Sequence, residues 1–126
     1  AALGDIDAVI QAQVAAQLQA FQSPWYQFFL RYNPADDLAK VSAPVLGIFG
    51  GRDVQVDAEQ NSTALQAALG KAGNADVTIR VLPTANHLFQ EAQTGGVAEY
   101  ASLPPQLMPD FLAAISQWLL ARVQLP

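Results

Sequence analysis

Val45-Leu46-Gly47-Ile48-Phe49-Gly50-Gly51-Arg52-Asp53 is the stretch on which the fold turns. Residues 45–49 are apolar at odd and even positions alike, so an extended segment here offers both of its faces for burial. Strands buried on both faces belong to parallel sheets covered by helices, whereas half-buried strands alternate. Pro44 and the Gly50-Gly51 pair bound the strand, and Gly51-Arg52-Asp53 makes the turn at its C-terminal end.

Downstream, Asp57 and Gln60 have capping-box spacing and open a helix through Leu65, Ala68 and Leu69. Gly70 is expected as its left-handed C′ residue. A polar link over residues 71–76 leads to Val77-Thr78-Ile79-Arg80-Val81-Leu82. Here Val77, Ile79 and Val81 share one face, and Thr78 and Arg80 share a wetter one, as suits a strand near a sheet edge. Pro83 ends this strand. Residues 84–105 read as a loop containing Gly95-Gly96. With Glu99 and Tyr100 it is either a mobile flap or an ordinary surface loop. Pro109 starts a last helix whose apolar stripe, Phe111, Leu112, Ile115, Trp118 and Leu119, lies against a sheet.

Strand, helix, strand, helix predicts the α/β class, with the strands parallel and joined by a right-handed crossover. Parallel neighbours lie ~4.8 Å apart, and ligands of open α/β sheets bind at the rim where their C-terminal ends emerge. Asp53 follows one such end and His87, the chain's single histidine, follows the other. If the two strands are neighbours, topology alone sets a carboxylate facing an imidazole. A carboxylate holds the ring's proton on Nδ1 and stabilises the imidazolium formed when the other nitrogen accepts a proton. An imidazole can both take and return a proton near neutral pH. A structural ion pair, or a lone surface histidine, is the plainer alternative. Asp57 is a rival acid, but its helix-capping role already accounts for it.

Upstream, Ile6, Val9, Ile10, Val14, Leu18 and Phe21 recur at helical spacing over residues 5–21. Ser23 and Pro24 restart a helix as N-cap and first residue. Its Trp25, Phe28, Phe29 and Tyr32 are expected to be helix core, with the lining of an acyl pocket as the alternative. Asn33-Pro34 ends it, and Asp36, Asp37 and Lys40 form a polar turn.

Composition narrows the function. The 126 residues are 52% hydrophobic and 13% charged, which excludes disorder as the general state. Six basic against 11 acidic residues, net charge −5, leave no cationic footprint for nucleic acid. No apolar run approaches the ~18 residues of a membrane helix. With no cysteine, one histidine and dispersed Glu59, Glu91 and Glu99, no metal site is expected. Gly50-Gly51 lacks the rest of any phosphate-loop pattern, so no cofactor is expected either. Ala1-Ala2-Leu3-Gly4 has no signal-peptide character, and Met108 is the only methionine, so the N-terminus reads as a processed or cut end.

Residues 36–53, which run Asp36-Asp37-Leu38-Ala39-Lys40-Val41-Ser42-Ala43-Pro44 into the strand and on to Asp53, resemble the seventh strand and acid turn of the α/β-hydrolases. Val81-Leu82-Pro83-Thr84-Ala85-Asn86-His87-Leu88-Phe89 resembles the eighth strand and histidine loop, and the helix bearing Trp118-Leu119 is similar to the closing helix. The resemblance covers residues 34–122 and is closest to bacterial esterase and acyl-peptidase-like serine hydrolases. It implies that Asp53 is the acid and His87 the base of a Ser-His-Asp triad. Residues 34–126 are then the C-terminal part of the hydrolase domain, and residues 1–33 helices of a cap or of the region before the seventh strand. The nucleophile elbow G-x-S-x-G is absent, since Ser23, Ser42, Ser62, Ser102 and Ser116 all lack the flanking glycines.

Two strands alone do not make a stable sheet. The edge of the 45–49 strand is therefore expected to be filled by the remaining N-terminal part of the hydrolase or by another copy of the chain. Two functions follow. One is the C-terminal portion of a serine hydrolase acting on small carboxylic esters or related acyl bonds, inactive alone. The other is a non-catalytic self-association module made from a truncated hydrolase.

Overall fold

A computed structural model describes residues 3–123. The expectations for Ala1-Ala2 and for residues 124–126 lie outside the described residues. The chain divides into two units that part after Pro34.

The first unit is a pair of helices, α1 (Leu3–Gln22) and α2 (Pro24–Arg31). Ser23 separates them. Its Oγ accepts the Tyr26 N–H at 3.3 Å and donates to the Ala20 carbonyl at 2.7 Å. Pro24 stands in the first turn, where a missing N–H costs nothing. The aromatic residues expected as core are on the surface instead: Trp25 is 69% and Phe28 64% exposed. They stack on each other along the helix, Trp25 on Phe29 and Phe28 on Tyr32. Two helices have too little surface to bury so many large apolar side chains.

The second unit is a three-layer α/β/α arrangement. β1 (Val45–Gly50) and β2 (Val77–Leu82) pair in parallel, in register from Val45 opposite Val77 to Gly50 opposite Leu82. Between them runs α4 (Ala58–Lys71), capped by Asp57, whose carboxylate accepts the Gln60 N–H at 2.7 Å. α4 covers one face of the pair. A Cβ at Gly47 would sit 2.8 Å from Leu65 Cδ2, so glycine there lets the helix lie close to the strand. α5 (Pro109–Leu120) covers the other face, where the Trp118 indole N–H donates to Thr78 Oγ1 at 3.1 Å. The Thr78 face expected to be wetter is thus partly roofed by a helix, because the indole supplies the donor that its hydroxyl needs.

Three local expectations are corrected. α4 passes through Gly70 to Lys71, with Ala72 as its C-cap and Gly73, at φ 69°, as the residue after the cap. There the Asn74 N–H bonds to the Leu69 carbonyl and the Gly73 N–H to the Gly70 carbonyl, a Schellman closure. Asn74 is the reason the closure falls later, since its side chain donates to the Val41 and Ala43 carbonyls and ties the helix end to the approach to β1. The polar turn is a short helix, α3 (Pro34–Leu38). The long loop contains a 3-10 helix at Val97–Ser102.

Leu82, Ala85 and Met108 form a buried cluster, with Ile48, Phe89 and Phe111 packed against it. Ala85 and Phe89 belong to the loop that carries His87, so the cluster anchors that loop. No helix among the described residues is long and apolar enough to cross a membrane.

Candidate active site

Asp53 and His87 meet. The His87 Nδ1–H donates to Asp53 Oδ2 across 2.9 Å. The strand ends explain the contact, because Gly50 and Leu82 are the last register pair and the loops carrying Asp53 and His87 leave from it. The Gly51 N–H donates to the Leu82 carbonyl at 2.8 Å and the Arg52 N–H to the Ala85 carbonyl at 2.9 Å. The acid turn is thereby bonded to the start of the histidine loop. Gly50 and Gly51 permit this approach by lacking a Cβ. At Gly50 one would lie 2.6 Å from the Ala85 carbonyl oxygen, and at Gly51 one would lie 2.8 Å from Pro83 Cα. Their use is closeness, and neither has a positive φ.

The other carboxylate oxygen of Asp53 accepts the N–H groups of Gln55 and Val56, both at 2.9 Å. An aspartate that bonds to the backbone two and three residues on forms its own turn, so the group is oriented before the imidazole meets it. Burial pushes the Asp53 carboxyl up. The hydrogen bond from His87, the two backbone N–H groups and the imidazole charge outweigh that, and hold it below the usual aspartate range. The Asp53 side chain is 9% exposed and that of His87 39%, so the carboxylate is sheltered while the ring reaches solvent.

Around His87 the backbone is tightly organised. Asn86 is fully buried, and its Oδ1 accepts the N–H groups of Leu88 and Gln90 at 2.9 and 3.0 Å. Its amide donates to Gln90 Oε1, and the Gln90 amide donates to the Pro104 carbonyl. Phe89 completes the loop at φ 53°, the left-handed region that non-glycine residues rarely occupy. Its ring stacks on Phe111 with centroids 4.2 Å apart, and its carbonyl accepts the Met108 N–H. That packing offsets the backbone strain. Asn86 and Gln90 do not stand out in the sequence, although an asparagine that bonds to the backbone two residues ahead is a known turn former, and that is the signal by which Asn86 could be found.

Further on, Glu99 gathers donors. Its carboxylate accepts the N–H groups of Gln93, Thr94 and Gly95 and the Thr94 hydroxyl. The Thr94 hydroxyl and the backbone N–H bonds pull its pKa down to about 2 against a small opposing effect of burial.

No group of three or more metal-ligating side chains occurs among the described residues. The hydroxyls of Ser23, Ser62, Ser102 and Ser116 donate to backbone carbonyls three or four residues earlier, and none of these four is bonded to His87. The site as it stands orients an imidazole and can stabilise its protonated form. Such a pair can do the acid–base part of nucleophilic catalysis.

A model of the dienelactone hydrolase family matches residues 5–116. Among curated relatives, a Yersinia pestis protein is 44% identical over 61 residues, which is 48% of this chain and 22% of the relative. One from Salmonella typhimurium is 37% identical over 67 residues, 53% of this chain and 24% of the relative. One from Escherichia coli is 39% identical over 57 residues, 45% of this chain and 20% of the relative. Each carries the name "Putative carboxymethylenebutenolidase". The chain thus spans only about a fifth to a quarter of the length of these relatives. No solved structure matches it.

Proposed function

The chain belongs to the dienelactone hydrolase family, and from that premise we propose that it supplies the acid and base of a nucleophile–His–Asp triad for hydrolysing carboxylic esters. Lactones, which are cyclic esters, are the substrate class that the family's name suggests. The observation that carries the reading is the 2.9 Å bond between the single histidine and Asp53, whose other oxygen is held by two backbone N–H groups.

Asp53 stays ionised and keeps the His87 proton on Nδ1. Nε2 is then bare and takes the proton of the nucleophile, a serine if the resemblance to serine hydrolases extends to the part outside this chain, as that nucleophile bonds to the carbonyl carbon. The imidazolium returns the proton to the departing alkoxide, leaving an acyl-enzyme. Water repeats the cycle: His87 takes its proton, hydroxide adds to the acyl carbon, and the nucleophile leaves protonated. The nucleophile and its oxyanion donors come from outside this chain, in the rest of a hydrolase that joins along the unpaired edge of β1.

The test is ester hydrolysis by the whole hydrolase carrying this sequence. His87→Ala and Asp53→Asn are each expected to lower kcat by roughly 10³- to 10⁴-fold. Near-normal turnover in either variant discards the role assigned to it. A second reading, a self-association module without catalysis, is favoured by the same open edge and by the apolar surface of α1 and α2. It requires concentration-dependent assembly that His87→Ala leaves unchanged.

A further inference from the structure

The segment over residues 91–100 touches the acid turn at three points that the triad chemistry does not require. The Arg52 guanidinium donates to the Ala92 carbonyl. Gly95, buried and at φ 74°, lies so close to the Arg52 carbonyl that a Cβ there would overlap its oxygen. The Tyr100 hydroxyl accepts the Gln55 side-chain amide at 2.9 Å, and the Gln55 N–H is one of the two donors that orient Asp53. Glu99 closes the segment on itself by accepting from Gln93, Thr94 and Gly95 at 2.6 to 2.9 Å. The stretch that reads in sequence as a flap or a plain loop is therefore pinned at both ends of the Arg52–Gln55 turn.

We propose that residues 91–100 are a brace that sets the orientation of the Asp53 carboxylate toward His87, with Glu99 and Tyr100 as positioning residues. Glu99 holds Gly95 against the Arg52 carbonyl, on the N-terminal side of Asp53. Tyr100 holds Gln55, on its C-terminal side. Neither reaches the imidazole, so each acts only through Asp53. The Asp53 carboxylate cannot turn Oδ2 away from the ring without losing its bonds to the Gln55 and Val56 N–H groups, and the contacts at Arg52 and Gln55 fix the backbone that presents those donors. The inference rests on the Asp53–His87 pairing of the proposed function.

The single histidine makes the test direct. Imidazole ¹⁵N shifts of the full chain report which ring nitrogen carries the proton in the neutral ring, with no other histidine signal to overlap. Native protein is expected to hold the proton on Nδ1. Glu99→Gln and Tyr100→Phe should each lower the Nδ1–H to Nε2–H ratio about twofold to tenfold, the range that one net hydrogen bond carries. Tyr100→Phe removes a single oxygen, so it remains readable if Glu99→Gln impairs folding. Native ratios in both folded variants, alongside a shifted ratio in Asp53→Asn, overturn the brace and leave the pairing intact. An unchanged ratio in Asp53→Asn overturns the pairing and the brace with it. A purely structural contribution would lower the unfolding midpoint without moving the tautomer of the folded protein.

Discussion

Asn86 carries more of the histidine loop than His87 does. Its side chain makes three hydrogen bonds with no access to solvent, so truncation strands the Leu88 and Gln90 N–H groups and the Gln90 amide oxygen. Asn86→Ala is expected to cost about 2–4 kcal/mol in urea unfolding, since each buried group left without a partner costs about 1–3 kcal/mol. Acid sensitivity is also set by single residues. Asp53 and Glu99 are both depressed in the folded chain, so the unfolded chain binds more protons below the ordinary carboxylate range. Their contribution is complete above that range and disappears as pH falls, for Glu99 toward about 2. Urea midpoints measured from pH 6 to pH 2 (roughly the span over which carboxylates titrate) should decline for the native chain and decline less for Glu99→Gln.

The two glycines at the end of α4 separate two roles that one residue type can play. Gly70 is helical and has open space where a Cβ would stand, whereas Gly73 sits at φ 69°. Gly70→Ala is therefore expected to stabilise by up to about 1 kcal/mol through helix propensity, and Gly73→Ala to destabilise by about 1–2 kcal/mol through its left-handed backbone. Thermal unfolding of the pair reads both signs. These glycines also mark the limit of what sequence could tell. Both strands, the Asp57 cap and the Pro109 start were legible, because each depends on neighbours in the chain. The true helix end was not, because Asn74 decides it by reaching Val41 and Ala43, more than 30 residues away. The same division holds at the site. The meeting of Asp53 with His87 followed from strand direction. Its supports, Asn86 with Gln90 and Glu99 with Tyr100, lie in loops whose hydrogen bonds leave no periodic trace.

At the scale of the molecule, the second unit is layered like a slice of a larger sheet. β1 is covered on both faces and pairs with β2 along one edge, while among the described residues its other edge has no strand beside it. Ile6, Val9, Leu18, Trp25 and Phe28 add exposed apolar surface on the first unit. Such surface and such an edge favour association. Sedimentation of the chain alone should show a mass that rises with concentration, and its unfolding midpoint should rise with it, as association linked to folding requires. A monomer with a fixed midpoint across the concentration range would mean that the chain is self-sufficient.

The in-register pairing of Gly50 with Leu82 bears on how genes of this kind can change length. The loops carrying Asp53 and His87 are both measured from that pair, so the number of residues between the strands does not enter the distance from aspartate to histidine. Codons gained or lost in the crossover leave the strand register unchanged, provided Leu65 and Asn74 keep their contacts with the β1 segment. A single codon added inside either strand would displace one partner by about 3.3 Å and turn its neighbours to the opposite face. Length variation among natural variants should therefore gather in the crossover and avoid the strands.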